Sequence, residues 1–486
     1  MKKQLSKLQP PMVWKYFEEI LEIPRPSKKE EKIIQYIVEF GKDHNLETLQ
    51  DETGNVLIRK PATKSMENRK SVVLQSHLDM VCEKNSDKIH NFEKDPIEAI
   101  IIDNWVTANG TTLGADDGIG VATQLAILAS NDIAHGPLEC LFTVDEESGL
   151  TGAAGLKPGF LKSKILLNLD SEDEGQLFIG CAGGQDTLAW LPFDYENSPD
   201  EHKAFKIMVS GLKGGHSGDE INKRMANANK ILNRFLWSKK DEFHLKLNTF
   251  DGGNLRNAIA REAYAVVLTP KNKEKDIIKA IADFKAMSRV EFSITEPDME
   301  ITITEIPSPD VIIDNESFNE LTNAIYACPH GVIAMSQSIE NFVETSTNLA
   351  SVKFLEDEIL ITTNQRSSVG SEKQDVTNMV RSVFTLAGGR LQTSAGYPGW
   401  TPNPNSEIVK ITNESYLRLF NSQPEVLAIH AGLECGLIID KYPEMDMISF
   451  GPTIKRAHSP EEKIEISTVL KFWDLTLEVL KNIPSN

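Results

Sequence analysis

The sequence predicts an α/β fold: a mixed, mostly parallel sheet flanked by helices, interrupted by an inserted α+β domain. Three observations lead there. Four short apolar runs, Val72-Val73-Leu74-Gln75, Cys140-Leu141-Phe142-Thr143-Val144, Ile165-Leu166-Leu167 and Met447-Ile448-Ser449-Phe450, lack polar alternation and read as strands buried on both faces. Each run leads into a polar residue, His77, Glu146, Asp170 and His458 respectively, and ligands of open α/β sheets gather at the carboxyl ends of strands. The polar segments fall in two blocks, 77 to 170 and 430 to 458, and the long stretch between them changes pattern.

Taken in order, the chain opens as helix. Ser27-Lys28-Lys29-Glu30 has the spacing of a capping box and predicts an amphipathic helix to about Gly41. A hairpin is expected through Asp51-Glu52-Thr53-Gly54-Asn55, followed by the buried strands. The insert reads as a strand at 205–209, a helix at 219–237, paired strands at 242–250 and 263–268, and a helix at 273–287. A looser version recurs over 317–384, with strands at 351–355 and 359–364. The expected division is therefore 1–186 with 397–486 as one discontinuous domain, and 187–396 as an inserted domain of two related α+β halves.

Composition excludes several classes of function. The chain has 486 residues with 51 basic and 71 acidic side chains, a net charge of -20, which repels phosphate backbones and argues against nucleic acid as a partner. No run reaches the length needed to span a bilayer, and no apolar segment follows the charged start, so neither a membrane nor a secretory signal is expected. Five scattered cysteines without CxxC spacing read as reduced thiols, and a cytoplasmic location is expected.

The strand-end residues set the chemistry. His77, Asp116, Glu147, Asp170 and His458 offer two imidazoles and three carboxylates with no thiolate, a donor set for a borderline divalent ion such as zinc, with cobalt or manganese as substitutes. Five ligands exceed what one tetrahedral ion needs. They would hold two ions if one carboxylate bridged them, and Asp116 is the natural bridge. Each residue alone has a plainer reading: Asp116 as the N-cap of a helix over 117–130, Asp170 as a turn residue, His458 as a loop histidine, and Asp145-Glu146-Glu147 as a solvated acidic turn.

With these residues identified, the chain resembles the aminoacyl-histidine dipeptidases, a branch of the di-zinc peptidase superfamily that includes carboxypeptidase G and succinyl-diaminopimelate desuccinylase. The resemblance spans nearly the whole length and is carried by Gly114-Ala115-Asp116-Asp117-Gly118-Ile119-Gly120, by Gly252-Gly253-Asn254-Leu255-Arg256-Asn257-Ala258-Ile259 and by His430-Ala431-Gly432-Leu433-Glu434-Cys435-Gly436-Leu437. It implies two zinc ions per chain, one on His77 and Asp170, the other on Glu147 and His458, with Asp116 between them. Glu146 becomes the general base and Asp79 the residue that orients His77. The insert becomes a lid in which His216 binds the scissile carbonyl oxygen, Asn257 and Gly432 contribute to substrate binding, and Arg366 holds the substrate carboxylate.

The implied activity is hydrolysis of small unblocked dipeptides, with a preference for a carboxyl-terminal histidine. The implied partner is that small substrate alone, with a homodimer left open. A second reading is an N-acyl amino acid deacylase or desuccinylase using the same metals. A third, a catalytically silent binding protein, is disfavoured because a silent copy has no need of Glu146.

Overall fold

The computed structural model describes residues 5–486 and divides into two compact units. The first comprises residues up to Gly180, Trp400–Ala428 and Leu433–Asn486; the second comprises Cys181–Gly399 and Ile429–Gly432.

The first unit is built on an eight-stranded sheet. Its centre is parallel: Val72–His77 pairs with Leu138–Thr143 on one side and Ile165–Asn168 on the other, and Ile165–Asn168 pairs in turn with Asp446–Ser449. Every residue of Val72–His77 and Leu138–Thr143 is buried, which is why these strands appear as unbroken apolar runs. The edges turn antiparallel through the expected hairpin, Glu47–Gln50 with Val56–Lys60, and the latter pairs antiparallel with Leu138–Thr143. Helices Pro11–Leu21 and Ala115–Ala129 pack against each other, contributing fully buried Trp14, Phe17 and Ile119 to the core.

In this unit one local expectation changes in the structure, and one of the plainer alternative readings is set aside. The capping box at Ser27 does not form. Ser27 Oγ donates to Asp79 Oδ2 (2.8 Å) and Glu30 Oε1 accepts from Lys28 N and Asp145 N, so both side chains are drawn into the strand-end loops, Lys28 adopts a left-handed backbone (φ 66), and the helix begins at Glu31. Asp116 is no helix cap either: Asp116 and Asp117 are both non-helical, and it is Asp117 Oδ1 that accepts from Gly120 N (3.1 Å), the bond a cap makes.

The second unit is a nine-stranded sheet with the spatial order Glu300–Ile306, His202–Ser210, Ala263–Pro270, Lys246–Gly252, Val343–Phe354, Glu358–Ser367, Gly183–Pro192, Arg390–Thr393, with Gly331–Met335 pairing beside Val343–Phe354. The central seam is narrow, a single pair between Gly252 and Val352. Side chains alternate, so Phe205, Ile207 and Val209 join Ala263, Ala265 and Val267, and Ile359 and Ile361, in one core that also receives Phe235, Phe284, Leu321 and Phe384 from four helices. The helix expected from Asp219 begins only at Ala228, capped by Asn227 Oδ1 accepting from Lys230 N (3.3 Å). The residues before it form a short 3-10 turn, Ile221–Lys223, whose Ile221 packs with Ile259 and Val343 instead of extending the helix.

Candidate metal centre and lid residues

In the first unit the carboxyl ends of the parallel strands bring together the residues that spacing singled out. His77 closes its strand, fully buried. Its Nε2 lies 3.1 Å from Asp116 Oδ1 and 3.4 Å from Asp170 Oδ1. His458 Nε2 lies 3.1 Å from Asp116 Oδ2 and 2.9 Å from Glu147 Oε2. Asp116 thus turns one oxygen to each imidazole. The donor atoms of His77, Asp116 and Asp170 lie within 4.8 Å of one another, as do those of Asp116, Glu147 and His458. His77, Glu146 and Glu147 form a third such group, so Glu146 borders the same space. His458 arrives less directly than expected, from a left-handed turn (φ 63) after the short strand Ile454–Lys455, which pairs with Lys463–Glu465.

Asp79 lies behind His77. Its Oδ1 is 3.3 Å from His77 Nδ1, and its two oxygens accept from the backbone N–H of Glu146 (3.0 Å) and Glu147 (3.2 Å). One carboxylate therefore fixes both a candidate ligand and the turn that carries the two glutamates. Burial opposes its ionisation, but the His77 imidazole, the Ser27 hydroxyl and the Glu146 N–H hold Asp79 down to about 2.

The electrostatics are those of an anion-rich pocket. Burial, with Asp116 adding to it, pushes Asp170 up to about 8, and burial, Asp170 and Glu147 push Glu146 well above the usual carboxylate range. His458 is pushed up to about 11 by its bonds to Asp116 and Glu147. Against burial, the carboxylates Asp170, Asp116 and Asp79 raise His77. The cluster attracts positive charge, and Glu147 Oε1 is a buried oxygen with no hydrogen-bond partner. An orphaned acceptor among nitrogen and oxygen donors fits a divalent cation.

Two supports escaped sequence reasoning. Glu462, 2% exposed, accepts with Oε2 from Leu113 N (2.7 Å) and Gly114 N (3.0 Å) and with Oε1 from Ala115 N (2.7 Å), gripping the loop that carries Asp116. Arg25, also 2% exposed, donates to the carbonyls of Leu78 (2.8 Å), Asp79 (2.7 Å) and Gly114. In sequence Glu462 sits in the charged run Pro460-Glu461-Glu462-Lys463, which reads as a solvated turn. The signal for Arg25 was its place between Pro24 and Pro26, an extended segment with no helical register. Glu434 proves to be a fully buried acid that accepts from Gln75 Nε2 and Thr143 Oγ1, both at 2.6 Å, and burial pushes it up to about 7.

In the second unit, His216, Asn257, Arg366 and Gly432 form one neighbourhood. The turn of His216 is zipped to that of Asn257 through Ser217 N to Asn257 O (2.8 Å) and Ile259 N to Gly215 O (2.9 Å). Gly253 turns this loop at φ 67, and a Cβ there would stand 1.9 Å from Ala350 O, so only glycine fits. The His216 ring is fixed from its Nδ1 side, 3.2 Å from Asp219 N and 3.2 Å from Asp219 Oδ2. The segment Ile429–Gly432 lies beside the same turn: a Cβ on Gly218 would meet His430 O at 2.2 Å. Arg366 is buried on Glu358–Ser367, and its Nη1 donates to Tyr397 Oη (3.1 Å).

Comparison with known proteins accords with this geometry. Residues 73–482 match the peptidase family M20/M25/M40. The chain is 44% identical over 483 residues, 99% of each chain, to the cytosol non-specific dipeptidase of Escherichia coli K12. It superposes on the crystal structure of the aminoacylhistidine dipeptidase of Vibrio alginolyticus with a TM-score of 0.93, 44% identity and 99% coverage of both chains. The aminopeptidase PepT of Bacillus cereus, at 16% identity with 98% of this chain and 99% of that one covered and a TM-score of 0.58, shares the fold. Sequence and overall fold thus agree with these relatives over nearly the full length, and the chain belongs to the peptidase family M20/M25/M40.

Proposed function

We propose that the protein is a metal-dependent dipeptidase acting on small unblocked dipeptides. The observation that carries this is Asp116, whose two oxygens each face one imidazole at 3.1 Å, the arrangement a carboxylate needs to serve two cations. His77 and Asp170 would hold one ion, Glu147 and His458 the other, and zinc suits the donors, with cobalt or manganese as substitutes. When bound, such ions supply Lewis acidity and bring the pKa of water toward neutrality.

The chain's own residues do the rest. Glu146 takes the proton of the attacking water at its carboxylate and returns it to the departing amine, a role open to it because Glu147 does the ligation. Asp79 holds the His77 ring and, through the N–H groups of Glu146 and Glu147, fixes where the base stands. His216 donates to the scissile carbonyl oxygen, Asn257 and Gly432 line the substrate, and Arg366 pairs with its carboxylate. Residues 187–396 then act as a lid to the catalytic domain formed by 1–186 and 397–486. The relatives named for cytosolic and aminoacylhistidine dipeptidase activity support a cytoplasmic enzyme with some preference for carboxyl-terminal histidine. Among the described residues no helix is long and apolar enough to cross a membrane.

The test is a panel of free dipeptides, Xaa-His among them, and N-acyl amino acids, assayed on protein stripped by a chelator and reloaded with zinc, manganese or cobalt. Dipeptide hydrolysis that vanishes on stripping and returns with close to two ions per chain is expected. Turnover of N-acyl amino acids alone would make the protein a deacylase, and full activity with a single ion would defeat the paired-metal assignment.

A further inference from the structure

The guanidinium of Arg366 is only partly used by the protein. Two of its five N–H groups are engaged, Nε with Asn364 Oδ1 (3.0 Å) and Nη1 with Tyr397 Oη (3.1 Å). Asn364 is itself held by Asp186 Oδ1 (2.8 Å), whose other oxygen accepts from Arg256 (2.8 Å). The guanidinium plane is therefore fixed, and among the described residues no acceptor engages either N–H of Nη2. Together with the second Nη1 N–H, these form an edge matched to a carboxylate.

Tyr397 is built in as firmly. Its backbone exchanges two hydrogen bonds with Gly184, N to O at 2.9 Å and O from N at 3.1 Å, and Lys373 Nζ donates to its carbonyl. Its ring lies between two glycines: a Cβ on Gly184 would stand 2.7 Å from it and one on Gly432 2.8 Å. Neither position has room for a side chain while the phenol is there. The phenolic oxygen accepts from Arg366, so its own proton must point to another acceptor. Burial raises the phenol and keeps that proton on it at neutral pH.

We propose that Tyr397 is a second carboxylate-binding residue, donating its phenolic hydrogen to the same free α-carboxylate of the substrate that Arg366 pairs with. The two glycines are then explained as the slot that holds the ring. This rests on the reading of Arg366 as the carboxylate partner, and the experiment separates the two.

The probes are alanyl-alanine and its carboxyl-terminal amide, assayed on the metal-loaded full chain. Tyr397→Phe keeps the ring in its slot and removes only the hydroxyl. Loss of a hydrogen bond to a charged group should raise KM for alanyl-alanine about ten- to hundredfold, with kcat changed by less than about threefold and the amide unaffected. The same substitution in an Arg366→Ala background should again raise KM for the free dipeptide. An unchanged KM in Tyr397→Phe, with Arg366→Ala still impaired, would overturn the tyrosine and leave the arginine. No effect from either substitution would remove the underlying reading as well. A cost that disappears in the Arg366→Ala background would overturn direct donation and reduce the phenol to a support for the guanidinium.

Discussion

Glu462→Gln is the substitution that most directly tests how Asp116, the proposed bridging carboxylate, is held. Three short bonds from consecutive N–H groups converge on this one side chain, and the group is 2% exposed. An amide preserves the shape but replaces one oxygen with a donor. If the NH2 takes the Oε1 side it faces Ala115 N, and if it takes the Oε2 side it faces Leu113 N and Gly114 N. At least one charge-assisted bond is lost in either orientation, about 1.5 to 3 kcal/mol. The charge acts in the same direction. Glu462 and Asp116 repel one another in the cation-free protein, so neutralising Glu462 relieves that form, and a bound cation loses a nearby anion. Both effects weaken metal binding, by roughly ten- to hundredfold at 1.4 kcal/mol per decade. Chelator competition with Zn²⁺ on wild type and variant measures it, with thermal unfolding in the presence and absence of metal as the companion. Wild-type affinity with an unchanged metal-dependent rise in Tm would show that the loop does not need this grip.

The two adjacent glutamates should fail differently: Glu146→Gln should keep both metals and lose about 10²-fold or more in kcat, whereas Glu147→Gln should lose metal, and metal analysis beside kinetics distinguishes them. A near-normal kcat in Glu146→Gln would mean that the base is another residue. His216→Ala should lower kcat by about 10² to 10³ with metal content and fold unchanged; normal turnover would make it a turn residue, and complementation with Glu146→Gln in a verified mixed dimer would show whether the imidazole serves its own chain. Burial, with Arg366 adding to it, lowers His430 to about 4. The unfolded chain therefore binds a proton that the folded one refuses, and stability should fall as pH drops from about 6.5 to about 4, by roughly 2 kcal/mol between pH 6.5 and 5. Urea unfolding of wild type and His430→Gln reads this as a shallower acid slope in the variant.

The parts of this molecule legible in its sequence are those where burial leaves a periodic trace. Val72–His77 and Leu138–Thr143 are covered on both faces, so their strands appear as unbroken apolar runs ending in polar side chains, and the alternating strands of the insert were recognisable for the complementary reason. What could not be read was any residue whose partner is distant in the chain. Ser27 and Glu30 have the spacing of a capping box, yet Asp79 and Asp145 recruit them. Ile221 continues a helical pattern but packs on Ile259 and Val343, which delays the helix to Ala228. Glu462 lies in a run of charges that water would ordinarily solvate, and only the loop 113–116 folding over it makes it a buried acceptor. Tyr397 sits in a glycine-rich turn where nothing local announces its bond to Arg366.

The same long-range pairing explains why charge is buried in the scaffold at all. Arg25 supplies donors to the carbonyls of residues 78, 79 and 114, and Glu462 supplies acceptors to the N–H groups of residues 113, 114 and 115. The loop before Asp116 is thus held through its amides by a buried anion, and a buried cation ties its Gly114 carbonyl to those of Leu78 and Asp79 after the neighbouring strand. Burial lowers the Arg25 guanidinium, while Asp79 and Glu462 offset that effect. Each charge bonds to backbone and not to the other, and burying charge is costly; retaining the two is therefore poorly explained by stability alone. Position explains it better. Asp116 turns one oxygen to each of two imidazoles, and for the bridging role proposed for it such a constellation works only when held to within about 0.5 Å. Directional bonds to the backbone of the three residues before it restrict it in a way that apolar packing of equal volume does not.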